Sequence, residues 1–122
     1  MNAEAEEPRE RAFASLYRAD QLGIDTVEGI SGRAERLALG TLAHLSEIDE
    51  LIDGAAEHWT VDRMPAVDRA LLRLATYELA HEPATPTAVI LNETVRIAKE
   101  YSTQNSGRFI NGVLATLATR LR

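Results

Sequence analysis

The stretch Val67-Asp68-Arg69-Ala70-Leu71-Leu72-Arg73-Leu74-Ala75-Thr76-Tyr77-Glu78-Leu79 decides the fold class. Val67, Ala70, Leu71, Leu74 and Ala75 recur at intervals of three and four, the period of one face of an α-helix and not the two-residue alternation of a strand. Pro65 stands just before it, where a first helical turn tolerates the missing N–H. Asp68, Arg69 and Leu72 lie on a face that differs from the stripe of Leu71, Leu74 and Ala75. Structural ion pairs account for Arg73, and Glu78 can pair with a base on another helix.

Toward the N-terminus, residues 33–58 form the longest periodic run. Leu42, Leu45, Ile48, Leu51, Ile52 and Ala55 make an apolar stripe beside Glu47, Asp49, Glu50 and Asp53, and Trp59-Thr60 closes it. This spacing predicts the central helix. Asp49-Glu50 falls on its solvated face. Residues 24–33 admit at most a short helix, because Gly29 and Gly32 weaken it. A first helix over about 9–21 carries Ala12, Phe13, Leu16 and Tyr17 and stops at Gly23. Residues 1–8, with Glu4, Glu6, Glu7 and Pro8, offer nothing to bury and read as a mobile acidic arm preceding one folded domain over 9–122.

Toward the C-terminus, Glu82-Pro83-Ala84-Thr85-Pro86 is a break. Thr85 is the expected N-cap of a helix over about 86–101 carrying Val89, Ile90, Val95, Ala98 and Tyr101. Ser102 to Ser106 reads as a linker. A last helix over about 107–121 has Phe109, Ile110, Val113, Leu114, Leu117 and Leu121 at helical spacing. No segment alternates with period two, so the chain is all-α, and its short links imply a compact helical bundle.

Composition narrows the function. The 122 residues are one domain's worth, 45% hydrophobic and 26% charged. With no cysteine, disulfides, thiolate metal sites and cysteine nucleophiles are excluded. No run approaches the roughly 18 apolar residues of a membrane helix, and the start lacks a basic flank before an apolar stretch, so the chain reads as soluble and cytoplasmic. His44, His58 and His81 are too dispersed for a metal pair at helical spacing, and no phosphate loop or nucleophile elbow is present. A non-catalytic protein without metal or cofactor is expected.

The net charge of −6 argues against nucleic acid, but its distribution does not. Residues 101–122 carry Arg108, Arg120 and Arg122 and no acid. Cations also suit the last turn of a terminal helix, which explains part of that excess without function. Asn105-Ser106-Gly107-Arg108-Phe109-Ile110-Asn111-Gly112 is the most suggestive stretch: a helix start attracts phosphate, Arg108 adds a cation, Asn105 and Asn111 can read base edges, and Phe109 can stack on an unpaired base. On spacing alone, a core anchor at Phe109 with a close helix contact at Gly112 is the favoured reading.

Several stretches, in order, resemble the bacterial NusB family of transcription antitermination factors. They are Ala12-Phe13-Ala14-Ser15-Leu16-Tyr17, Ile48-Asp49-Glu50-Leu51-Ile52 followed by Trp59, Val67 to Arg73 with Tyr77-Glu78-Leu79, Asn92-Glu93 with Ala98-Lys99, and Phe109-Ile110-Asn111-Gly112-Val113-Leu114. The resemblance implies two small packed helical subdomains and no catalytic activity. It implies binding to single-stranded boxA RNA together with NusE, a protein of the small ribosomal subunit. By position, Phe109 would stack on RNA with Arg108, Asn105, Thr87 and Arg9 nearby. Asp68 and Tyr17 would fall on the NusE-facing side, and Arg69 and Leu72 go with Asp68.

Two departures from the family pattern stand out. The Arg-rich segment usual before the first helix is replaced by Glu4-Ala5-Glu6-Glu7-Pro8. Region 22–36 is shorter than in typical members, so the second helix is shortened or lost; a homodimer is one way to cover the apolar area thereby exposed. The alternative reading is a divergent NusB-like interaction or dimeric regulatory protein that has lost boxA binding.

Overall fold

The computed structural model describes residues 7–122. Six α-helices follow in order: α1 (Pro8–Leu22), α2 (Gly32–Ala43), α3 (Leu45–Ala55), α4 (Ala66–His81), α5 (Thr87–Tyr101) and α6 (Gln104–Leu121), with a 3-10 turn at Val61–Arg63 between α3 and α4. No strand occurs among the described residues. None of these helices is long and apolar enough to cross a membrane.

Helix α1 opens on Pro8 and ends on Gly23, whose φ of 66° lies in the left-handed region. The N–H of Gly23 donates to the Asp20 carbonyl, and that of Ile24 to Ala19, closing the helix end. Of the acidic arm, residues 1–6 lie outside the described residues. The remaining two are already structured: Pro8 is helical and the Glu7 carboxylate accepts from Arg96 Nη2 at 2.6 Å. The folded part therefore begins earlier than residue 9. Residues 23–31 form no helix at all, with Gly29 at a φ of 74°. Val27 and Ile30 pack on the core, while Leu22, Ile24 and Leu39 remain exposed.

The run 33–58 is two helices, not one, because the chain breaks at His44 (φ −114°, ψ 23°). His44 N–H donates back to Thr41, and its ring Nδ1–H takes the Gly40 carbonyl at 2.9 Å, which the backbone N–H of a continuing helix would use. Helix α3 ends at Ala55, four residues before Trp59, and Ala56 is extended. Asp49, expected on a solvated face, takes a two-pronged contact from Arg73 at 2.9 and 2.8 Å.

The central helix is α4, which packs against all five others. It is buried almost all round: Ala70, Leu71, Leu72, Leu74, Ala75, Thr76, Tyr77, Glu78 and Leu79 are all inside. A helix apolar on more than one face belongs in the interior, and Leu71 and Leu72 together supply that second face. One hydrophobic cluster runs from Ala12 and Phe13 on α1 through α4 to Leu114 and Leu117 on α6. Helix α5 starts at Thr87 behind Pro86, so Thr85 is not the N-cap; its carbonyl instead accepts from Arg122. Helix α6 starts at Gln104, three residues early, because the Thr103 hydroxyl accepts from the Ser106 N–H at 3.1 Å.

Helices α2 and α4 meet where Gly40 faces the Tyr77 ring, and a methyl group on Gly40 would overlap that ring at Cζ and Oη. Gly40→Ala is expected to destabilise the fold by about 1–3 kcal/mol although alanine is the better helix former. Urea unfolding of the variant checks this; a gain in stability would show that the two helices part freely.

Candidate nucleic-acid interface

The distribution of committed and uncommitted cations locates the site. Arg9 is buried and holds Glu78 with two contacts of 2.7 Å. Arg69 holds Asp20 at 2.6 Å and donates to the Val61 and Met64 carbonyls. Arg96 sits among Glu7, Glu10, Glu93 and Glu100. Arg122 donates to the Glu78, Leu79 and Glu82 carbonyls at the end of α4 and to Thr85, and Arg120 donates to the Gly54 carbonyl. Two of the three C-terminal bases thus cap backbone carbonyls. Arg108 does not: its side chain is exposed and has no partner among the described residues.

Around Arg108 the start of α6 gathers groups with unused hydrogen-bonding capacity. Asn105 and Asn111 are exposed and have no partner among the described residues, but only Asn105 lines either of the clefts beside Phe109. Lys99 of α5, also without a partner, runs past Gly107, its Cγ 3.6 Å from where a Cβ would stand. With the Ser106 N–H taken up by Thr103, the Gln104 and Asn105 N–H groups of the first turn add positive potential. Phe109 is half-buried: it rests on the core from outside it and lines two adjoining clefts of about 370 and 230 Å³. The close helix contact expected at Gly112 is absent, since nothing lies within 4 Å of a Cβ built there; the tight passage is at Gly107 instead. Phe109 and Gly112 therefore leave room beside α6.

Asp68 lines the second cleft, with Asn105 and Phe109, although only 3% of it is exposed. Burial pushes its carboxyl above the usual range, against hydrogen bonds from Ser106 and Ser102; the Ser102 Oγ stands 3.5 Å from Oδ1. In that lining it sits beside two of the expected RNA residues, Asn105 and Phe109. Tyr17 is exposed on α1 and continues, through Phe13 at 6.4 Å, to Tyr101 at 5.5 Å, an aromatic row that ends next to Ser102.

Arg9, Thr87, Leu72 and Arg69 line neither cleft. The Arg9 guanidinium is used on Glu78, so it offers no cation to RNA. Thr87 lies beside Arg122 at the far end of the α5–α6 pair, about 20 Å along α6 from Phe109. Leu72 is fully buried and presents nothing to a partner. Arg69 is mostly covered, and its guanidinium braces the 3-10 turn. Two further residues, not singled out for binding by their spacing, are brought to the candidate site by the fold. Lys99 is one; Trp59, read from the sequence as a helix terminator, is the other and lines both clefts beside Phe109. The signal was available, since an indole in a polar loop between His58 and Thr60 has no local apolar stripe to join.

The histidines gather in part: His44 and His81 stand 4.1 Å apart beside Tyr77, with His81 Nε2 2.7 Å from Glu47. No three side chains suited to a metal ion come together among the described residues.

These features define a class: an all-α protein organised on one buried helix, with an open aromatic cleft and uncommitted cations where its last helix begins. The chain belongs to the NusB family, whose model matches residues 2–119. It is 42% identical over 125 residues to the transcription antitermination protein NusB of Streptomyces avermitilis, covering 89% of this chain and 87% of that one. Among solved structures, NusB of T. maritima superposes with a TM-score of 0.79 at 34% identity, covering 93% of this chain and 89% of the other. A structure of antitermination factors NusB and NusE in complex with dsRNA gives a TM-score of 0.82 at 26% identity, covering 98% and 99%.

Proposed function

We propose that this chain is a non-catalytic, cytoplasmic RNA-binding factor that acts with NusE on boxA of ribosomal RNA transcripts in transcription antitermination. The observation that carries this reading is the start of α6, where Phe109 shares one cleft with Arg108 and the other with Asn105, and neither polar side chain has a partner among the described residues. Unpaired bases are recognised by these means, through an aromatic face and base-edge contacts. The solved relative that pairs NusB with NusE and RNA supports the choice of partners. The exposed rings of Tyr17 and Tyr101, bridged by the buried Phe13 ring and leading toward Ser102 and Asp68, are the surface assigned to NusE. A homodimer would instead cover Leu22 and Ile24 on the face left open by residues 23–31.

Cation supply sets the character of the binding. Among the described residues, Arg63, Lys99 and Arg108 are the bases near the clefts without an ion-pair partner, and Arg63 lines a pocket with Trp59. Three phosphate contacts to a single strand predict a slope of about −2 for log affinity against log salt. Fluorescence anisotropy of a labelled boxA-like single strand, titrated with the protein at several salt concentrations with and without NusE, tests this. Sequence-preferring binding tightened by NusE is the expected result, and Arg108→Ala should flatten the slope by about 0.7. A folded protein that captures NusE but binds no RNA would establish the divergent interaction protein instead.

A further inference from the structure

We infer that Trp59 is a second base-stacking residue, which with Phe109 forms the shared wall of two clefts that receive two bases of one RNA strand. The inference rests on the RNA-binding reading above and deepens it, naming a residue and a stoichiometry of bases at that site.

Trp59 is the only tryptophan of the chain, yet 47% of it is exposed. It is not loosely held. On one side Ala56 is buried against the core, and on the other Val61 is buried, its N–H donating to Asp53 Oδ1 at 2.8 Å. Arg69 fastens the turn that follows, donating to the Val61 and Met64 carbonyls at 3.3 and 3.0 Å. A large π surface is thus presented to solvent from a fixed backbone, and pre-ordering of this kind lowers the entropy lost on binding.

Trp59 and Phe109 are the two residues that line both clefts. The larger, of about 370 Å³, adds Arg108, Val113 and Thr116; the smaller, of about 230 Å³, adds Pro65, Asp68, Asn105 and Ser106. Each joins apolar walls to polar groups able to meet a base edge. Their chemistry differs: Arg108 only donates, which suits the acceptor edge of guanine, whereas Asp68 and Asn105 supply acceptors for an exocyclic amine. A protein segment would match such apolar walls equally, but the unpartnered Arg108 beside them, with Lys99 at the same helix start, favours a polyanion. One strand laid across the Trp59–Phe109 wall places one base in each cleft and its phosphates toward these cations.

Because no other tryptophan emits, protein fluorescence reports on this residue alone. Titration of the full-length protein with a boxA-like single-stranded RNA should quench or shift Trp59 emission with the same midpoint as the RNA anisotropy. Trp59→Ala is expected to lower RNA affinity at least five-fold, Trp59→Leu to do the same despite its apolar side chain, and Trp59→Tyr to retain most of it. Circular dichroism and urea midpoints should stay near those of the parent, since the ring is outside the core. RNA binding that leaves Trp59 emission and the Trp59→Ala affinity unchanged overturns this inference while the RNA-binding reading stands. Loss of NusE capture in Trp59→Ala at undiminished RNA affinity assigns the clefts to the protein partner and overturns it too. Absence of RNA binding by the folded parent removes both readings together.

Discussion

Glu78→Ala is expected to cost about 3–5 kcal/mol of stability, lowering Tm by roughly 10–20 °C. The Glu78 side chain has no solvent exposure and receives both arms of Arg9 at 2.7 Å, with Arg33 Nη2 3.8 Å away. Removing the carboxylate leaves the Arg9 guanidinium buried without its hydrogen-bonded partner, with only the more distant charge of Glu93 to offset it, and that loss outweighs the attraction removed. Arg33 adds little, because its side chain is 40% exposed and water can solvate it. Replacing both partners by apolar residues, as in Arg9→Met with Glu78→Leu, should recover most of the loss. Urea unfolding of the single and double variants checks this, and a single-variant loss below about 1 kcal/mol would show the pair to be solvated. Arg9→Ala should likewise act on stability. RNA affinity measured on its folded fraction should match the parent, because Arg9 is held away from any ligand.

Phe109→Ala should reduce RNA affinity by roughly ten-fold to a hundred-fold, the range that one stacked base supplies. The ring rests on the core from a half-buried position, so some stability is lost as well, about 1–2 kcal/mol, less than for a fully buried phenylalanine. Phe109→Leu separates the two effects: it keeps apolar contact with the core but has no π face, so affinity falls while the urea midpoint stays near that of the parent. Neither change should alter the salt slope, since no phosphate contact is removed. Equal affinity of parent and Phe109→Leu would mark Phe109 as a packing residue only.

The sequence and the structure agree most closely where an interaction repeats along the chain. Apolar intervals of three and four gave every helix but one, and Gly23 and Pro86 mark real boundaries. Disagreement begins where a side chain competes with the backbone. His44 breaks a run whose apolar period continues unbroken, because its ring satisfies the Gly40 carbonyl. Thr103 starts α6 before any apolar residue does. Length points to 33–58 as the central helix, whereas the deciding property is coverage on several faces, which Leu71 and Leu72 confer on α4.

The residues proposed to bind RNA at the α6 start are legible in the chain as types and spacing, but their freedom to act is not. Asn105, Arg108 and Phe109 are a local constellation on one helical turn, and the sequence by itself determined it together with the all-α class and the register of each stripe. Which arginines remain available was decided only by the tertiary structure. Arg9 meets Glu78 across 69 residues and Arg73 meets Asp49 across 24, and with 19 acids in the chain no local rule selects the partner. The approach of Trp59 to Phe109 is of the same kind. Hydrogen bonding within a helix acts over four residues, whereas burial and ion pairing act between whatever surfaces the folded core brings together, so periodicity shows what each face can do and packing settles which faces meet.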